Sequence, residues 1–85
     1  MIDRKLQPLE WSDFMYELTD ALEHLDKLVK DIDQTPDYDQ DTFRIDLGHV
    51  YAHLNRAWSS SKGDTEEAVG RDAASAFPAD LRPIG

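Results

Sequence analysis

Trp11-Ser12-Asp13-Phe14-Met15-Tyr16-Glu17-Leu18-Thr19-Asp20-Ala21-Leu22-Glu23-His24-Leu25-Asp26-Lys27-Leu28-Val29-Lys30-Asp31-Ile32 is the stretch that decides the fold. Its apolar residues return in steps of three, one and three. Written as heptads, Trp11, Leu18, Leu25 and Ile32 share position a; Phe14, Ala21 and Leu28 share d; Met15, Leu22 and Val29 share e. A stripe over a, d and e is wider than a two-stranded coiled-coil seam and suits one helix of a bundle. It predicts a first helix over about residues 8–33, with Pro8 in the first turn, where a missing N–H costs nothing. Glu23–Lys27 and Asp26–Lys30 stand four apart in the favourable order. Pro36 ends the run, because proline cannot continue a helix and restricts Thr35 before it.

A second helix is expected over about residues 38–61, with Asp37 as cap and Gln40 as its return partner. Phe43, Leu47, Val50, Tyr51, Leu54, Ala57 and Trp58 form its apolar arc. Serines and Gly63 signal its end. The connection is short, so the two helices are expected to lie antiparallel, with Trp11 and Trp58 at the same end. Residues 1–63 thus read as a helical hairpin. Residues 64–85 read as a short third helix over about 65–77, opened by Asp64-Thr65-Glu66-Glu67, then an irregular tail that packs on the hairpin or on a partner. The fold class is all-α.

Two helices leave part of each apolar stripe facing water. The tail offers few large side chains, and each one buried contributes about 1.5–3 kcal/mol. A second copy closing a four-helix bundle is therefore expected, that is, a homodimer. Gly48, mid-helix beside Ile45 and Ala52, is expected to receive the tail or a partner helix, since glycine there costs about 1 kcal/mol relative to alanine.

The charge is −9, and it is uneven. Eleven acids and two lysines lie between residues 10 and 41, while the rest of the chain is balanced. Such a segment repels phosphate backbones, which argues against direct nucleic-acid binding. It attracts a basic protein, with Glu17, Asp20, Asp31, Asp33, Asp37 and Asp39 as the carboxylates to meet it. An acidic nucleic-acid mimic that binds a basic protein is an alternative from the same charge. There is no cysteine, which removes disulfides and thiol chemistry and fits a cytoplasmic setting. The first residues carry charge and lack an apolar run, unlike a secretory signal. No stretch approaches the roughly 20 apolar residues of a membrane span.

Chemistry-bearing residues are few. His49 and His53 stand four apart on the second helix, with Asp46 one turn earlier and His24 across the hairpin. That set could hold a divalent metal. No glutamate lies between the two histidines as in the zinc-protease helix, and hydrogen bonding of the imidazoles to acids across the interface is the expectation. Asp37, Asp39 and Asp41 alternate like a calcium loop, but Thr42 and Gly48 stand where it needs glycine and glutamate. No cofactor is expected.

Arg44-Ile45-Asp46-Leu47-Gly48-His49-Val50-Tyr51 resembles the Arg-x4-His-x-Tyr signature of HEPN-type helical ribonucleases. The resemblance covers eight of 85 residues and opens the second helix, whereas the family carries the string late in a longer bundle. It implies Arg44, His49 and Tyr51 as site residues, metal-free RNA cleavage and a site formed between two protomers. Histidine moves protons and arginine steadies phosphate charge. The leading expectation is a non-enzymatic helical module for protein–protein interaction, with the ribonuclease as its rival.

Overall fold

The computed structural model describes all residues, Met1–Gly85. The chain is all-helical, and two long helices pack against each other: α1, Pro8–Gln34, and α2, Gln40–Ser61. Two short helices follow, α3, Glu66–Val69, and α4, Arg71–Ser75. No helix is long and apolar enough to cross a membrane.

α1 begins with proline in its first turn and ends at an extended Thr35 before Pro36. Its surface pairs are Lys30–Asp26 at 2.8 Å and Lys27–Asp31 at 2.5 Å. Lys27 thus turns toward the next helical turn rather than back to Glu23. The cap of α2 is Asp39, not Asp37: its side chain accepts from the Thr42 N–H. That shift moves the helix start to Gln40. The expected third helix is broken in two. Gly70 adopts φ +87°, which a helix does not tolerate, and Thr65 rather than Asp64 caps α3. Ala76 is extended and ends α4 two residues before Pro78.

Contacts along the hairpin run in reverse register. Ile2 N–H donates to the Ser61 carbonyl at 2.8 Å; Phe14 meets Ala57; Glu17 meets His53 and Arg56; His24 meets His49. The helices are therefore antiparallel, and the cluster of Ile2, Phe14 and Ala57, with Trp11 against it, sits at the end where α2 finishes. Ile2 is 5 % exposed, so the N-terminus plugs this end of the hairpin, a role its sequence did not signal.

The seam between the helices is not the a/d/e stripe. From α1 it is built by Phe14, Ala21 and Leu28 at d and by Glu17, His24 and Asp31 one step from them at g. Val50, His53 and Ala57 face them from α2. The small side chains of Ala21 and Ala57 let the helices approach closely.

Candidate functional site

Two features stand out on this frame. One is an apolar face. Met15, Leu18, Leu22, Leu25, Val29 and Ile32, the a and e residues of α1, remain exposed, Leu22 at 68 % and Val29 at 61 %. On α2, Tyr51 and Leu54 are exposed and Leu47 and Trp58 half-buried. At 3.6 residues per turn, each of these stripes lies about 100° beyond its own helix's buried seam, in the same rotational sense. Because the helices are antiparallel, both stripes fall on the same side of the hairpin. Phe77 of the tail joins them, its ring edge-on to Tyr51 at 5.2 Å. Of the α1 acids only Asp26 and Asp33 border this side by the same count, and Asp26 is paired with Lys30.

The other is a polar seam on and beside the helix interface. Glu17 lies at its centre. One carboxylate oxygen accepts from Arg56 Nε at 2.9 Å, the other contacts His53 Nδ1 at 2.6 Å. Arg56 is buried and also donates through Nη1 to Ser75 Oγ at 2.9 Å, while Asn55 donates to the Ser75 carbonyl. This clasp ties α1, α2 and α4 together, and every buried side-chain polar atom has a partner. Next to it the His53 ring stacks with those of His24 and His49, which are tilted to each other, with centroids 4.2–5.0 Å apart. The Nε2 atoms of His49 and His53 are 3.0 Å apart. His49 is exposed overall, but partial desolvation of its ring first, then the neighbouring His24, His53 and Arg56, hold it below the ordinary imidazole value, with Asp20 opposing them.

The sequence-derived candidates divide between these features. His24, His49 and His53 converge, with one donor atom of each within 4.8 Å of the others. Asp46 does not join them as ligand: it accepts from the Tyr38 hydroxyl at 2.5 Å. Burial, followed by that carboxylate, pushes Tyr38 up to about 12. Among the expected partner-binding acids, Glu17 is spent inside the clasp, Asp39 caps α2, Asp31 pairs with Lys27, and Asp20 stands 4.0 Å from His53. Asp33 and Asp37 are exposed. Nothing lies within 4 Å of a side chain built on Gly48, so the tail does not pack there; it packs instead on Asn55, Arg56 and Tyr51. Arg44 and His49, five residues apart, lie about 140° apart around α2 and do not converge within one chain. Tyr51 faces Phe77, away from the histidines.

Arg56 and Asn55 were missed by sequence reading. The available signal was a polar column, Asp46, His49, His53 and Arg56, running along α2 beside its apolar arc; such a column needs acids opposite, and Glu17 and Asp31 occupy the matching g positions of α1. Comparison with family models, curated proteins and solved structures finds no match for this chain.

Proposed function

We propose that this chain is a non-enzymatic helical interaction module that works as a homodimer, two hairpins closing a four-helix bundle through their apolar sides. The observation that carries the reading is the continuous apolar side formed by the a and e residues of α1 with Tyr51, Leu54 and Phe77. Magnitudes support a second copy as its cover. The accessible surface is 6618 Å², about 1,500 Å² above the roughly 5,100 Å² of a compact monomer of this mass. A specific interface needs about 800 Å² per partner. Charge supports it as well: most carboxylates of α1 lie away from the apolar side, so two copies meet there without opposing their acids. The exposed acids away from the apolar side, Asp37 of the connecting loop among them, then face a basic protein, with the cytoplasm as the setting.

The test is mass in solution, by sedimentation equilibrium at micromolar concentration. Twice the 9.7 kDa chain mass is expected, and Leu22→Glu is expected to return it to monomer with its helices retained. A wild-type monomer overturns the reading.

A further inference from the structure

We propose that His24, His49 and His53 form a binding site for one divalent transition-metal ion, zinc being the best match, with Glu17 as the positioning residue. A carboxylate can only accept, so the 2.6 Å contact from Glu17 puts the His53 proton on Nδ1. The Nε2 lone pair of His53 is thereby free and directed toward His49. A carboxylate behind a histidine in this manner fixes its tautomer and orientation and raises its basicity as a ligand. Arg56 holds the other oxygen of the same carboxylate, and its Nη2 lies 3.2 Å from His53 Nδ1. His53 is 7 % exposed, so its ring is held by packing as well as by Glu17.

The donor spacing is close to that of a metal site. Zinc–nitrogen bonds of about 2.0–2.1 Å in tetrahedral geometry set neighbouring ligand atoms about 3.3 Å apart. His49 and His53 already stand at 3.0 Å, where one shared proton joins their Nε2 atoms; an ion takes the place of that proton, and His49 then carries its own on Nδ1. The widest separation among the three donors is no more than 4.8 Å, so about 1.5 Å of side-chain rotation closes the set. His24 is half-buried and His49 exposed, so both have room to turn. Three neutral imidazoles suit zinc, copper or nickel better than magnesium or calcium. Three protein ligands leave a fourth position to water or another ligand, and a groove lined by Lys27, Asp31 and Asp46 adjoins His24 and His49. An open fourth position on three histidines distinguishes this arrangement from a closed structural site.

The experiment is titration of the metal-free full-length chain with Co²⁺ and with Zn²⁺. One cobalt per chain is expected, with the intense visible absorption of a four-coordinate nitrogen site, displaced by one equivalent of zinc. His49→Gln and His24→Gln, neither of them buried, are each expected to weaken binding at least tenfold while circular dichroism keeps its helical signal. Glu17→Gln is expected to weaken it about 10- to 100-fold and to shift the His53 ring nitrogens in NMR spectra. Absence of cobalt absorption in the folded wild-type chain overturns the site. So does absorption unchanged in both His49→Gln and His24→Gln, since the ion then sits elsewhere.

Discussion

At the scale of single residues, Glu17 joins two buried side chains of α2, His53 and Arg56. Removing it leaves the guanidinium of Arg56, 7 % exposed on its side chain, without its charged acceptor, and breaking a largely buried pair from one side costs roughly 3 kcal/mol or more. A chain of this size has only about 5 kcal/mol to lose. Glu17→Ala is therefore expected to lower the urea midpoint steeply, and Glu17→Gln, which keeps an oxygen for Arg56 Nε, to lower it less. Ala57 offers the complementary case. It is 2 % exposed between the helices, so Ala57→Leu is expected to overpack the seam and cost about 1–3 kcal/mol.

At the scale of helices, the start of α2 carries a pH signature. Hydrogen bonds from Thr42, chiefly its backbone N–H, hold the Asp39 carboxyl below the ordinary value of 3.8. A carboxyl lowered in the folded state contributes stability that is complete above the unfolded value and is lost as pH falls through the folded one. Acidification below about pH 4 is thus expected to erode the α2 start, and Asp39→Ala to flatten that limb of a stability-against-pH curve followed by circular dichroism. Gly48 makes the opposite point. A side chain there meets open space, and alanine in a helix interior is favoured over glycine by about 1 kcal/mol. Gly48→Ala is expected to raise the thermal midpoint and, lying about 100° round α2 from the proposed interface, to leave the oligomeric mass unchanged. The histidine and helix-cap patterns were legible as spacings in the sequence. Which aspartate caps α2 was not, because Asp37 and Asp39 are both good caps and the difference lies in where the turn through Thr35–Tyr38 delivers the chain.

At the scale of the whole molecule, the shape is extended, which supports the proposed dimer. The radius of gyration is 14.6 Å and the longest extent 48 Å, against about 12 Å for the radius of a compact domain of this length. Only 11 of 85 residues are buried, so the single chain has little core of its own. Association of two copies in the proposed dimer stabilises the folded chain by mass action, so the thermal midpoint is expected to rise with protein concentration. Calorimetry over a hundredfold range of concentration checks this, and Leu22→Glu is expected to abolish the dependence.

The apolar repeat determined by itself that about residues 8–33 and 38–61 would be helical, to within two residues of the observed ends, because helical hydrogen bonds join residues four apart and need only local agreement. Proline and glycine set the boundaries for the same local reason. Tertiary structure alone decided which face of each helix turned inward. Glu17 reaches its partners across 36 and 39 residues of chain, and three buried or half-buried polar groups that satisfy one another rotated α1 onto its d and g positions. A charge removed from water must be answered by another at short range, so the polar residues share the seam with α2 while the wider apolar stripe lies on the surface of the single chain.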